Sequence, residues 1–420
     1  MTEQTTTPDP VRLDDLAAPR FAPEVDEMFA GAAAFADTVE LSADALMSQA
    51  STELGLDDFG DPSFIEPFEV LLTAFDTEAP LSPMGRLTTA AQLNQLLKNR
   101  LLVTDLLNRH PEIHDIEIER PMIIAGLPRT GTTHLHNMIS ADPALRSLPY
   151  WESLEPVPTP GEEPGPGGDD PRLARAEGGV TFLDLAMPDF KRMHEMTTWH
   201  VHEEIQLLAI DFSTMLFDTM APMPSWREYY LAHDQTPHYE YLKTVLKVLQ
   251  HLRGGDRWIL KSPQHLEQFG PLISTFPDAT VLVTHRDPIS VTVSMATMIS
   301  YSARLSLDPV DPVAISAYWA DRLDRMLAAC VRDRDLLPAA QSMDVRFDDF
   351  MADDLGMVRR IYELAAQAMP AGSETAIATY LAEHQRDRFG KVIYDPAPLG
   401  LDPADLRARF GPYIDRFDLS

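Results

Sequence analysis

The segment Gly126-Leu-Pro-Arg129-Thr130-Gly131-Thr132-Thr133 has the G-x-x-x-x-G spacing of a phosphate-cradling loop and runs into a helical pattern. Glycines let the backbone curl until successive N–H groups converge on one anion, and a helix N-terminus adds its partial positive charge. After the second glycine, a nucleoside-triphosphate loop carries lysine; here the residue is Thr132. A loop without that lysine holds one phosphate well and reaches β- and γ-phosphates poorly. The positive charge sits inside the loop instead, at Arg129. A second polar cluster, His194, His200 and His202 with Glu203 and Glu204, reads either as a surface facing an acceptor or as a metal site, since histidines at i and i+2 share a strand face.

PRTGTT between a strand and a helix resembles the 5′-phosphosulfate loop of sulfotransferases that use 3′-phosphoadenylyl sulfate (PAPS), in particular a bacterial and actinobacterial branch. That resemblance implies a downstream 3′-phosphate site made by an Arg at a strand end and a Ser eight residues later. Arg286 and Ser294, in ATVLVTHRDPISVTVSM, have that spacing. A guanidinium fork suits a terminal phosphate, and a hydroxyl adds one donor. Ser290 reads as a helix-start residue, and Pro288 suits a first helical turn. RWILKSPQHL, with Lys261 and His265, is similar to the same branch and puts Lys261 at a sheet edge. The likeness runs from about residue 45 to the C-terminus, through GLDDFGDPSF, ALRSLPYWE, VRFDDF and DRFGKVIYD.

The implied reaction moves the sulfuryl group of PAPS to a hydroxyl of a small, lipid-like or aromatic acceptor and releases adenosine 3′,5′-bisphosphate (PAP). Backbone N–H groups of Arg129, Thr130, Gly131, Thr132 and Thr133, with the two last hydroxyls, are expected on the 5′-phosphate. Arg129 and Lys261 are expected to stabilise charge on the sulfuryl and bridging oxygens, so that no metal is required. Two residues compete for the base that takes the acceptor proton. Glu152 stands about where related enzymes place a glutamate, and His265 follows Lys261 as histidines do in other branches; His134 is a distant third. Two rivals stay open: a P-loop nucleotide kinase or triphosphatase with a degenerate loop, and an inactive PAP-binding homologue.

Positioning these residues requires an α/β fold. PMIIAG (Pro121–Gly126), RWILK (Arg257–Lys261), ATVLVTH (Ala279–His285) and MDVRF (Met343–Phe347) read as strands with helical patterns between them, the alternation of a P-loop-type parallel sheet flanked by helices. Ahead of it, Pro67–Phe75 and Leu93–His110 carry apolar residues at helical spacing, and Pro111 ends the second run. The expected organisation is a disordered tail at 1–20, a helical N-terminal region at 21–115 packed on the core, and the sulfotransferase domain at 116–420. Pro156–Pro171, rich in proline, glycine and acid, is expected as a surface loop or lid. Ile205–Leu216 reads as a buried helix ringed by Met187, Met193, Met196, Met215, Met220 and Met223, or as a methionine wall for an apolar acceptor.

The 420 residues carry 34 Lys+Arg against 65 Asp+Glu, a formal charge of −31. That balance argues against a nucleic-acid or anionic-membrane binder. A single cysteine, Cys330, excludes an intramolecular disulfide and a Cys-based metal site. Neither a secretory signal nor a run of membrane-spanning length is present, so the chain is expected in the cytoplasm, with no stable membrane anchor.

Overall fold

A computed structural model describes residues 8–162, 164, 170–385 and 387–419. Four parallel strands form one sheet in the order β2-β1-β3-β4: β1 is Met122–Ala125, β2 Ile259–Ser262, β3 Thr280–His285 and β4 Ser342–Arg346. These are the four segments expected as strands, and the architecture is the expected α/β one. Strands β1, β2 and β3 are buried along their whole length, as parallel strands covered on both faces must be, whereas the edge strand β4 is only partly buried.

Side chains alternate between the faces. On one face Ile123, Ala125, Leu260, Val281 and Val283 enter the largest core. The N-terminal helices are α1 (Pro23–Ala36), α2 (Ala43–Leu54), α3 (Ile65–Glu78) and α4 (Pro83–Arg109), and that same core takes up Leu46 of α2, Leu71 of α3 and Leu93 and Leu97 of α4. On the other face Met122, Ile124, Ile259 and Leu282 pack with α5 (Thr132–Ser140) and with the helix Asp354–Leu364. Further along the chain come α6 (Tyr150–Leu154), α7 (Pro171–Ala186), α8 (Ile205–Leu208), α9 (Pro224–Ala232), α10 (Thr236–Arg253), α11 (Phe269–Thr275), α12 (Pro288–Ser302) and α13 (Pro312–Asp333). Among the described residues no helix is long and apolar enough to cross a membrane.

Two expectations need correction. The helix read over Ile205–Leu216 stops after one turn: a 3-10 turn follows at Ala209–Asp211, Phe212 turns left-handed (φ 53°), and another 3-10 turn covers Met215–Thr219. Side-chain demands override the helical spacing there. Asp211 is drawn to Arg100 and His238, and Gln264 Oε1 accepts from both Thr214 Oγ1 (2.8 Å) and Met215 N (3.0 Å). The tail expected to fray over 1–20 is, from Pro8 onward, laid against the molecule: Val11 bridges Val392, Leu16 is buried, and Asp15 pairs with Arg304. Residues 1–7, and the centre of the expected lid at 163 and 165–169, lie outside the described residues.

Arg100 joins the N-terminal helices to the rest. Its guanidinium is almost fully buried, donates to the carbonyls of Phe59 and Asp61 (2.8 Å each), pairs with Asp211 Oδ1 at 2.5 Å, and lies 4.1 Å over the Phe64 ring. Removing one partner of such a pair strands a buried charge and several carbonyls. Arg100→Ala is therefore expected to lose about 3–5 kcal/mol of unfolding free energy in urea titrations; a loss below ~1 kcal/mol would contradict this role.

Candidate functional site

The loop after β1 closes tightly because of what its neighbours allow. A Cβ on Gly126 would stand 1.9 Å from Thr284 Oγ1, so glycine is required where the loop leaves the sheet. Arg129 (φ 70°) and Gly131 (φ 88°) both turn left-handed, which curls the intervening backbone; for the arginine this costs on the order of 1–3 kcal/mol. Thr130 is buried, donates to Leu127 O (2.7 Å) and shares a 2.7 Å hydrogen bond with Thr284 Oγ1 on β3. Its hydroxyl thus fixes the loop, leaving Thr132 and Thr133 as the hydroxyls that line the cleft. Helix α5 begins at Gly131 with no side chain capping its first N–H groups.

Strand β3 delivers Arg286 beside that loop. Its Nη1 donates to Arg129 O at 2.6 Å, and its guanidinium lies 4.2 Å over the Phe347 ring. Asp287 caps α12, accepting from the Ile289 and Ser290 N–H groups, and the Ser290 hydroxyl donates to the same carboxylate. One turn on, Ser294 Oγ accepts from Arg129 Nε (3.0 Å); Arg129 also reaches Tyr394 OH (3.2 Å) and Met193 O. Arg129 therefore spans the distance between the loop and the Arg286–Ser294 pair.

On the other side of the loop, β2 carries Lys261 one residue before its end. Its Nζ is 3.5 Å from Thr133 Oγ1 and ion-pairs with Glu203, while its N–H donates to Glu204 Oε2 (2.7 Å). Glu204 Oε1 accepts from His265 Nε2 (2.6 Å), and His265 Nδ1 accepts from Tyr239 OH (2.8 Å). His265 is fully buried with both ring nitrogens used and does not line the cleft, so the structure does not place it as a base there. Glu152 is misplaced for that role as well. Its buried carboxylate is held by Arg146 (2.6 Å) and Arg253 (3.0 Å), away from the residues that line the cleft. Glu203, by contrast, lines the cleft beside Lys261, with 20% of its side chain exposed. Sequence analysis placed it only within the histidine cluster. Its adjacency to Glu204 hid the division of labour: one carboxylate buried under the lysine, its neighbour facing the cleft.

The cleft holds about 800 Å³. Its polar side is made by Arg129, Gly131, Thr132, Thr133, His134 and Arg286, with the Phe347 ring beside them, its apolar side by α12, the 215–220 turn and the first turns of α4. Met187, Met196, Met215 and Met220 line it, joined by Met84, Met295 and Met298, whereas Met193 and Met223 are buried behind. The methionine wall is thus a cleft wall, and the N-terminal region contributes to it. His194 and His202 also line the cleft, stacked edge to face on either side of His200 at 5.2 and 5.8 Å between ring centres rather than on a strand face. Burial pushes His194, His202 and the nearby His136 well below the usual imidazole range, and His200 down to about 4; the Lys261 ammonium adds to each.

The sequence profile of the Sulfotransferase family matches residues 121–369. The omega-hydroxy-beta-dihydromenaquinone-9 sulfotransferase Stf3 of Mycobacterium tuberculosis (strain CDC 1551 / Oshkosh) is 23% identical over 328 residues, 68% of this chain and 78% of that protein. Among solved structures, sulfotransferase STF9 from Mycobacterium avium aligns with a TM-score of 0.80 at 27% identity, over 91% of this chain and 98% of its own. Sulfotransferase STF1 from Mycobacterium tuberculosis H37Rv aligns with a TM-score of 0.77 at 29% identity, over 88% and 98%.

An imidazole whose pKa is lowered by folding binds its proton more weakly in the native state than in the unfolded chain, so stability rises with pH. The contribution of these histidines is complete above their ordinary value of 6.5 and is lost as pH falls through it towards 4. The melting temperature is expected to drop between about pH 7 and pH 5, and less steeply in His200→Gln. Equal slopes for the two proteins would contradict the burial argument.

Proposed function

The chain belongs to the sulfotransferase family and is a sulfuryl-transferring enzyme; from that premise we propose that its donor is PAPS, its product PAP, and its acceptor a hydroxyl on a lipid-like molecule. The observation that carries this reading is the placement of Lys261. Its buried ammonium contacts two residues that line the cleft, Thr133 of the phosphate loop and Glu203. A donor seated on the loop and an acceptor lying along the methionines would bring their reacting atoms together there.

In this reading the N–H groups of Arg129–Thr133 with the Thr132 and Thr133 hydroxyls hold the 5′-phosphate, and Arg286 with Ser294 holds the 3′-phosphate. Arg129 bridges the two. Glu203 takes the proton of the acceptor hydroxyl as that oxygen bonds to sulfur. The bond between sulfur and the 5′-phosphate oxygen breaks in line, its electron pair leaving on PAP, where Lys261 and Arg129 stabilise the charge. Glu152 and His265 become positioning groups, the first between Arg146 and Arg253, the second through Glu204. The apolar, methionine-rich side favours a flexible hydrophobic acceptor, and the curated relative's hydroxylated quinone lipid supports that class. The setting we propose is the cytoplasm, with the sheet domain assigned to 116–420 and the preceding helices contributing to the acceptor wall.

Glu203→Gln is expected to reduce kcat for transfer from labelled PAPS to hydroxylated isoprenoid or long-chain lipids by about 10²–10⁴-fold, with PAP affinity little changed. Retention of more than ~10% of kcat would move the base elsewhere. Failure of the wild type to sulfate any hydroxylated lipid, while sulfating a polar acceptor, would overturn the acceptor class.

A further inference from the structure

Helix α4 lines the cleft with Met84 near its first turn and ends 26 residues later at His110, roughly 40 Å away at 1.5 Å per residue. His110 is the C-cap of α4, and Pro111 turns the chain so that Glu112 folds back: His110 Nδ1 and Glu112 Oε1 are 3.0 Å apart. Beside them stands His251, in the last turn of α10, its ring centre 5.3 Å from that of His110. One ligand atom from each of His110, Glu112 and His251 lies within 4.8 Å of the other two. Among the described residues this is the only group of three His, Cys, Asp or Glu side chains that converges so closely; the cleft histidines do not.

We propose that His110, Glu112 and His251 form a divalent transition-metal site of the zinc class, completed by water, that pins the end of α4 to the end of α10. Two imidazoles and one carboxylate suit Zn²⁺, Ni²⁺ or Cu²⁺, and are a poor set for Mg²⁺ or Ca²⁺, which want oxygen. Metal–ligand bonds of about 2.0–2.2 Å put tetrahedral donors roughly 3.3–3.5 Å apart. The His110–Glu112 pair is near that spacing already, and a ligand atom of the exposed His251 lies within 4.8 Å of both.

The field at the site favours a cation independently of the ligands. Two helices end here, and each C-terminus carries about half a negative charge from its unpaired carbonyls; Glu112 adds a full one. Of the nearby basic side chains, Arg109 is paired with Asp105 and Arg253 with Glu152, while Lys247, which donates to His114 O at 2.8 Å, keeps its charge. Lys247 and Gln250 already tie α10 to the segment after α4, through the carbonyls of His114 and Glu117. A bound metal would reinforce the same junction, between the N-terminal helices and the helix leading into β2.

The test is calorimetric titration of the full chain, stripped with EDTA, with zinc chloride and separately with magnesium chloride. Wild type, His251→Ala and Glu112→Gln are compared; both altered side chains are exposed and outside the cleft. One zinc per chain is expected, weakened at least about tenfold in each variant, with no magnesium heat. Zinc should also raise the melting temperature of the wild type alone. Zinc binding of equal strength in both variants would place the ion elsewhere, such as the cleft histidines, and overturn the proposal. Absence of stoichiometric binding to the wild type would overturn it too.

Discussion

One buried hydrogen bond, between the hydroxyls of Thr130 and Thr284, holds the phosphate loop against β3, and the rest of the site depends on it. Because β3 lies beside β1 in parallel register, the residue that follows it, Arg286, emerges at the edge where the loop begins. Gly126 permits the close approach, since any side chain there would collide with Thr284. From that contact follow the Arg286 bond to the loop carbonyl, the reach of Arg129 to Ser294, and the course of α12 along the apolar side of the cleft. The loop and the Arg286–Ser294 segment, more than 150 residues apart in sequence, become one surface.

In the proposed function that surface attracts an anion in a chain of net charge −31. The cations are accordingly concentrated and held: Lys261 is nearly inaccessible, Arg129 has three hydrogen-bond partners, and Arg286 is stacked on an aromatic ring. Local fixed charges within hydrogen-bond range outweigh a distant acidic surface, whose field is screened over about 8–10 Å at ordinary ionic strength. The carboxylates near them are divided by burial. Glu204 is sealed under Lys261 with His265 behind it, and Glu203 opens to the cleft.

The sheet and the phosphate loop were legible because they are written locally. Four short apolar runs at strand length and a glycine-spaced loop each declare themselves within about ten residues. The N-terminal helices were legible from their period, although not the part α4 plays in the cleft wall, which depends on how helices meet. Glu152 and His265 show the limit. Each has a chemically suitable side chain near the right place in the chain, yet Arg146 and Arg253 claim one, and Glu204 with Tyr239 claims the other. Those partners come from positions up to 101 residues distant, so no local pattern reveals them. The broken helix after Ile205 has the same origin, since Arg100 and Gln264 impose bonds that a regular helix could not supply.

In the proposed function, loop and β3 together bind a 3′,5′-bisphosphate and not a triphosphate. Calorimetric titration with PAP and with ATP, on wild type and Arg286→Ala, tests it most directly. PAP is expected to bind the wild type and to bind the variant at least about tenfold more weakly, consistent with one charge-assisted phosphate contact, with little ATP binding to either. ATP binding as strong as PAP binding, or PAP binding indifferent to Arg286, would contradict it.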